Sequence, residues 1–244
     1  MKVVLPMAGS GSRLAGQGLS TPKPLIETAG QPMVFWALES LDRLPISRYI
    51  FVVLREHDRV WQLGSLLSAR IPNAEIVAID KVTEGQLCTV LAARDLIDTD
   101  EDLLIASCDT YVVSNLADDI ARRDPACRGI LSVADMPGDR WSFARTDESG
   151  RVVEVTEKVR ISNHASTGLY YFSNGREFVE VADGMISRGE RTRGEYYVMP
   201  VYQKYIERGW RVEISPAIEM WDMGTPASLE AFEARAKTLG VTVS

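Results

Sequence analysis

The chain has 244 residues, 45% hydrophobic and 25% charged, with 18 glycines and 11 prolines; this balance can bury a core and excludes disorder, collagen and coiled coil. Its 27 basic residues against 34 acidic ones leave a net charge of −7, which argues against a broad nucleic-acid surface but not against phosphates held by a few local cations. No stretch approaches the roughly 18 apolar residues of a membrane helix, Met1 and Lys2 run directly into Val3, and Cys88, Cys108 and Cys127 form no C-x-x-C pair, so a cytoplasmic, reduced protein with no membrane partner, disulfide framework or structural zinc is expected.

Short apolar runs at 3–5, 49–54 and 103–106 read as buried strands, because they are brief, rich in branched residues and followed by polar or glycine positions. Between them helices are expected at 32–44, opening on Pro32, and at 60–69 and 89–97. This alternation predicts an α/β fold of three layers: a mostly parallel central sheet with helices on both faces. After about residue 138 the rhythm changes. Segments 141–146 and 151–156 flank Asp147-Glu148-Ser149-Gly150, a turn sequence, and predict a hairpin. A strand at 166–172 follows, then helices at 175–187, 195–208 and 226–237, the last with Thr225 as its cap and Pro226 at its first position. With no repeat or flexible linker, one domain over 1–244 is expected, with a nucleotide-binding half to about 135 and a smaller β-rich acceptor-binding half after it. The chain ends soon after the last helix, so no appended acyltransferase or β-helix domain is expected.

The first strand leads into Met7-Ala8-Gly9-Ser10-Gly11-Ser12-Arg13-Leu14. Small residues let backbone amides approach a ligand, and successive N–H groups can make an anion-binding concavity. Leu14 stands where a dinucleotide fingerprint needs glycine, and no Walker A run exists. The glycines alone are as compatible with a plain strand–loop turn. Downstream, Pro22-Lys23-Pro24-Leu25 sets a lysine between two prolines that restrict the backbone on either side. Asp109 comes just beyond the apolar run 103–106, at the kind of strand end where open α/β sheets collect ligands, and Asp222 lies in Trp221-Asp222-Met223-Gly224-Thr225. Each aspartate on its own reads equally as a cap or turn residue. Two carboxylates together with substrate phosphate oxygens suit magnesium, which seldom uses an all-protein cage. His57 and His164 share no metal spacing and read as structural or surface residues.

Together, the glycine loop, Pro22-Lys23-Pro24-Leu25 and Gly30-Gln31-Pro32-Met33 resemble the opening signature of the sugar-phosphate nucleotidyltransferases, and later segments extend the likeness from about residue 3 to 233. The resemblance implies a Rossmann-like nucleotidyltransferase fold, akin to that of GT-A enzymes. Its activity would be transfer of a nucleoside monophosphate from an NTP (CTP, UTP or dTTP) to a phosphorylated small-molecule acceptor, a sugar 1-phosphate, releasing pyrophosphate. It implies nucleotide contacts from Met7, Ala8, Gly9, Ser10, Gly11, Ser12, Arg13, Lys23, Glu84, Gly85 and Cys108. Arg13 and Lys23 would neutralise the phosphates, and Asp109 and Asp222 would hold Mg²⁺. On the acceptor side it implies Glu157 and Lys158 from an E-K pair, Thr167 and Gly168 from T-G-[IL]-Y, and Glu195 from R-G-E. As plain sequence, Glu157-Lys158 also reads as a solvated strand end and Glu195 as a first-turn helix acid.

Three departures stand out: Val159 replaces the usual proline after E-K, Gly85-Gln86-Leu87-Cys88-Thr89 replaces a G-L-A-Q-A-like base segment, and Asp80 falls where several members carry glutamine. The Met7-Ala8-Gly9 and Ser107-Cys108-Asp109 segments look closest to a capsule-biosynthesis branch, some of whose members use CTP and non-sugar phosphates. A cytidylyltransferase for a phosphorylated alcohol or amide, a GT-A glycosyltransferase reading Asp109-Thr110-Tyr111 as its metal motif, and a catalytically silent nucleotide sensor are the competing readings. Members of the family often form homo-oligomers, and Trp61 and Trp210 fit either an interface or a core.

Overall fold

A computed structural model of the chain describes residues 1–9 and 21–238. Strand β1 (Lys2–Pro6) opens the chain, and a 3-10 turn (Lys23–Leu25) leads to the small ribbon of β2 (Glu27–Thr28) and β3 (Gln31–Pro32). Helix α1 (Met33–Glu39), β4 (Arg48–Leu54), α2 (Arg55–Trp61), α3 (Leu63–Arg70) and β5 (Ala74–Ile79) follow. Next come α4 (Gln86–Leu91), α5 (Arg94–Ile97), β6 (Leu103–Ala106), β7 (Thr110–Ser114), α6 (Leu116–Arg122) and β8 (Cys127–Ala134). The hairpin β9 (Ser142–Thr146) and β10 (Val152–Glu157) then leads to β11 (His164–Phe172), α7 (Gly175–Ser187), α8 (Met199–Glu207), β12 (Arg211–Asp222) and α9 (Pro226–Thr238).

The main sheet runs β5-β4-β1-β6-β11-β8-β12-β7, with β9 and β10 joined through β11. β5, β4, β1 and β6 are parallel, β11 is antiparallel to both its neighbours, and β12 runs parallel to β8 but antiparallel to β7. The pleat sends alternate residues to opposite faces. Val4, Ile50 and Val52 pack with Phe178 of α7 and Tyr202 of α8, whereas Val3, Leu5, Phe51 and Val53 pack with Phe35 of α1 and Leu67 of α3. Two cores on either side of one mixed sheet make the three layers that the alternation of strands and helices predicts.

Several elements differ from the sequence-based expectation. The helix expected at 60–69 is two, broken at Gln62, whose φ of 50° is left-handed; Asp58 Oδ1 accepts the amide of Gly64 at 2.7 Å and so starts α3 afresh. The helix expected at 89–97 is likewise divided into α4 and α5. The one expected from 195 begins only at Met199, because the backbone of residues 195–196 is spent elsewhere: Glu195 exchanges hydrogen bonds with Thr192, and Tyr196 pairs with Glu84 and Leu87. Glu195 is therefore not a first-turn helix acid. Strands β5, β7, β8 and β12 are not among the elements expected from the sequence, and Asp222 is the last residue of the 12-residue β12, its Oδ1 accepting the Gly224 amide in the turn that follows. The hairpin forms as expected, with Asp147 Oδ1 accepting the amides of Ser149 and Arg151 and Gly150 left-handed at φ 82°. Thr225 caps α9 through the Ser228 amide.

Candidate active site

Three side chains meet above Gly224. A Cβ placed on that glycine would lie 2.9 Å from Asp222 Oδ1, 3.3 Å from Asp109 Oδ2 and 3.3 Å from Lys23 Nζ, so any larger residue would fill the space the three share. The backbone accounts for the convergence. Asp109 follows β6, a strand buried along its whole length at the centre of the sheet. Asp222 pairs with Thr110 in the β12–β7 ladder, and the amide of Met223 donates to the carbonyl of Asp109 at 2.8 Å. Beneath them, Met33, Trp36, Met223 and Phe232 form a third apolar cluster that fastens α1 and α9 to the turn bearing Asp222.

Lys23 begins the 3-10 turn between its two prolines and ion-pairs with Asp109 Oδ2. Desolvation works against its charge, but the Asp109 carboxylate, the hydrogen bond to it and the more distant Asp222 outweigh that cost and hold the ammonium above its ordinary pKa. Lys23 thus stays protonated throughout the physiological range. Desolvation and the Asp109 charge act together on the neighbouring Cys108, pushing its thiol up to about 12, so at neutral pH it is neutral and no nucleophile.

Three cavities line up along this edge of the sheet. The central one, 380 Å³, is bounded by Met7, Lys23, Gln86, Cys108, Asp109 and Tyr197 among others. One of 310 Å³ adjoins it through Pro6, Gly9, Gln86 and Glu195 and reaches Ala8, Thr83, Glu84 and Gly85. The third, 150 Å³, shares Ser107 and Asp109 with the central one and holds Arg140, Ser142, Glu157, Gly168 and Asp222. Asp109 stands at the junction, with Met7, Ala8, Gly9, Glu84, Gly85, Lys23 and Cys108 on one side and Glu157, Thr167 and Gly168 on the other.

Gly85 and Gly168 sit where side chains do not fit. Gly85 has φ 132° and a Cβ there would collide with the backbone of Tyr196; Gly168 has φ 87° and a Cβ would collide with Ser107. The first contact locks the 84–87 segment to 195–196, with the Arg191–Glu84 ion pair at 2.8 Å beside it. The second marks a shift in the β11–β8 register between Ser166 and Tyr170, which opens the sheet surface beside Asp109.

Glu157 is buried and accepts from Ser142 Oγ at 2.5 Å; desolvation raises its pKa against the opposing pull of Ser142, Lys158 and Arg193. Lys158, left-handed at φ 56°, does not line the third cavity and bonds to the hydroxyl of Tyr197, over whose ring its ammonium lies at 4.4 Å. Thr167 is turned inward, its hydroxyl donating to the Ser132 carbonyl at 3.3 Å. Glu195 is exposed at the rim of the first two cavities. Ser10, Gly11, Ser12 and Arg13 lie outside the described residues.

Two residues of the site went unmarked in the sequence. Arg140 pairs with Asp222 Oδ2 at 2.8 Å from 82 positions away, and Tyr197 holds Lys158. The one local sign of Arg140 is the Trp141 beside it, directly before an expected strand.

Among the described residues no three of His, Cys, Asp and Glu cluster as metal ligands. Two converging carboxylates do fit magnesium, which takes one or two acids and completes its shell with water and substrate phosphate. No described helix is long and apolar enough to cross a membrane.

The sequence pattern of the family described as nucleotidyl transferase matches residues 2–238. The chain is 25% identical to the UTP--glucose-1-phosphate uridylyltransferase AglF of Haloferax volcanii over 96% of each chain. It is 24% identical to the bifunctional protein GlmU of Thermotoga petrophila, over 97% of this chain and 52% of that protein. This chain spans about half the length of the first curated relatives it matches. In three dimensions it is similar to the nucleoside-diphosphate-sugar pyrophosphorylase of Vibrio cholerae RC9, with a TM-score of 0.82 and 25% identity over 95% of this chain and 99% of that one.

Proposed function

The chain belongs to the nucleotidyl transferase family, and from that premise we propose that it transfers a nucleoside monophosphate from an NTP to a sugar 1-phosphate and releases pyrophosphate. The observation that carries this reading is the meeting of Lys23, Asp109 and Asp222 at the junction of the cavities. The Haloferax volcanii relative, named for UTP and glucose 1-phosphate, supports the substrate class.

The nucleotide occupies the two connected larger cavities and the acceptor the smaller one, which puts the reacting α-phosphate beside Lys23 and Asp109. A phosphate monoester has a second pKa of about 6 and is mostly dianionic at neutral pH, so the acceptor needs little help from a general base. Accordingly, the neutral Cys108 thiol and the backbone-bound Thr167 hydroxyl have no proton to move. The obstacle is an anion attacking an anion, and the protein answers it with position and charge. Lys23, kept protonated and braced by prolines, neutralises the α-phosphate; Arg13 does the same for the departing pyrophosphate. Asp109 and Asp222 would hold Mg²⁺, which when bound would supply charge screening for the phosphate oxygens. Glu157, aimed by Ser142, accepts from acceptor hydroxyls, and the open surface at Gly168 lets the sugar approach the backbone. Lys158, engaged with Tyr197, and Glu195, on the rim of the two larger cavities, reach the acceptor only from outside the smaller cavity.

We treat the chain as one domain whose halves, about 1–135 and 136–244, serve nucleotide and acceptor; support comes from β11, which lies between β6 and β8 within a single sheet. A role in capsule or other surface polysaccharide rests on the Met7-Ala8-Gly9 and Ser107-Cys108-Asp109 likeness. A pyrophosphate-release screen of four NTPs against phosphorylated metabolites, with magnesium present, tests the whole reading. Release with an NTP and a sugar 1-phosphate is the expected result. Release only with CTP and a phosphorylated alcohol moves the acceptor class. Consumption of a nucleotide sugar without pyrophosphate, or tight NTP binding without turnover, overturns it.

A further inference from the structure

The two carboxylates of the site are held by very different partners. Asp109 is paired with Lys23, whose side chain is only 19% exposed and is fixed between prolines. Asp222, 9% exposed, is paired with Arg140, which is 43% exposed and stands on the segment before β9. Its second oxygen accepts from the Gly224 amide at 3.1 Å, so the chain's own donors occupy both oxygens of Asp222. The guanidinium of Arg140 lies 4.1 Å over the ring of Trp141, a platform that fixes its plane whatever it bonds at its edge.

The cavity these residues face has an unusual charge balance. Of the described residues lining the 150 Å³ cavity, Asp109, Glu157 and Asp222 carry carboxyl groups and Arg140 is the one cation. Lys158 is engaged with Tyr197 and does not line it. Asp109 already has Lys23 as its counter-ion, so a dianionic phosphate entering this space meets Glu157 and Asp222, and Arg140, the lining cation that could receive it, is tied to Asp222. A divalent ion on Asp222 would repel the guanidinium from the same oxygen and leave it free within that cavity, its planar fork matched to phosphate oxygens.

We propose that Arg140 is an exchangeable counter-ion: it neutralises Asp222 while no divalent ion is bound and grips the acceptor's phosphate once one is. The inference rests on the reading of Asp109 and Asp222 as the ion site. It couples the two events, since the acceptor's anchor is released only where the ion has arrived, and the empty site carries no unpaired buried acid.

Calorimetric titration of Mn²⁺ into nucleotide-free protein, followed by glucose 1-phosphate into the Mn²⁺-loaded protein, tests it in wild type, Arg140→Ala, Arg140→Lys and Asp222→Asn. Arg140→Ala should bind Mn²⁺ a few-fold more tightly, about what losing a competing exposed ion pair is worth. It should bind glucose 1-phosphate roughly 10- to 100-fold more weakly, the scale of a lost hydrogen bond to a charged group. Arg140→Lys should fall between, having charge but no fork. Weaker Mn²⁺ binding in Arg140→Ala would make the residue a strut for Asp222, and unchanged affinities for both probes would remove it from the site; either result overturns the proposal while leaving the ion site intact. Failure of the nucleotide-free wild type to bind Mn²⁺ overturns the exchange, and undiminished binding by Asp222→Asn removes the two-carboxylate reading itself, and the exchange with it.

Discussion

Asp109 and Asp222 reach the same point from strands of opposite character. β6 is four residues long, buried throughout, and flanked by β1 and β11 at the middle of the sheet. β12 is three times that length and changes neighbours midway, parallel to β8 as far as Pro216 and antiparallel to β7 from Ala217. Proline, which has no amide to give to a ladder, stands at the changeover, and Ile218 just beyond it is 64% exposed. A central strand end is fixed by the core on both its faces. The far end of a strand that switches partners is held by what packs on it, here Met223, Trp36 and Phe232. The same asymmetry extends to the counter-ions, one braced and one on an exposed arm. One half of the site is therefore built in, and the other is assembled.

The largest expected effects would test whether these unequal halves contribute equally to chemistry. Lys23→Ala, Asp109→Asn and Asp222→Asn should each lower the rate of pyrophosphate release by roughly 10²–10³ while circular dichroism stays that of the wild type. Near-normal turnover in Asp222→Asn alone would show that the built-in half suffices.

Backbone substitutions come next. Gly85→Ala and Gly168→Ala each force a side chain into a left-handed position against an occupied space, at a cost of about 1–3 kcal/mol in chemical denaturation. Gly85→Ala should be the worse of the two, because its obstacle is the backbone of Tyr196, whereas Gly168 meets the side chain of Ser107. The first should raise KM for the nucleotide and the second KM for the acceptor. Reversed KM effects would exchange the assignments of the two sides.

Glu157 yields a smaller, pH-dependent effect. Because burial raises its folded pKa, the folded state holds its proton more tightly than the unfolded chain, so its contribution to stability is best below the unfolded pKa and is lost as pH rises through the folded one. Glu157→Gln, which keeps a partner for Ser142, should therefore raise Tm at pH 7, with the gain shrinking toward pH 4, while weakening acceptor binding. A gain that grows on acidification would contradict the buried-acid reading. Smallest of all, Cys108→Ser should leave turnover within about a factor of two, and iodoacetamide should label Cys108 slowly at pH 7, as expected of a thiol that stays protonated.

Much of the first half could be read directly. The 3–5 and 103–106 runs are strands because only short branched segments fit between two layers of helices, and Lys23 announced itself through its prolines. Lys158, Thr167 and Arg140 show what the linear sequence does not place. The E-K pair places Lys158 beside the acceptor cavity, but its left-handed backbone swings the ammonium onto Tyr197; the hydroxyl of Thr167 turns into the sheet because β8 offers a carbonyl there. Arg140 resembles any surface arginine until β12 brings Asp222 to it.

What the chain settles by its own order of residues is the local: which runs are apolar on two sides, where proline and glycine fix the backbone, which acids follow a strand. These depend on neighbours a few positions away. Folding alone decided the pairings across long separations: Lys23 with Asp109, Asp222 with Arg140, Gly85 against Tyr196. Each depends on strand register and on which layer fills the space between, and a linear pattern carries neither, because both are set by the packing of distant segments against one another.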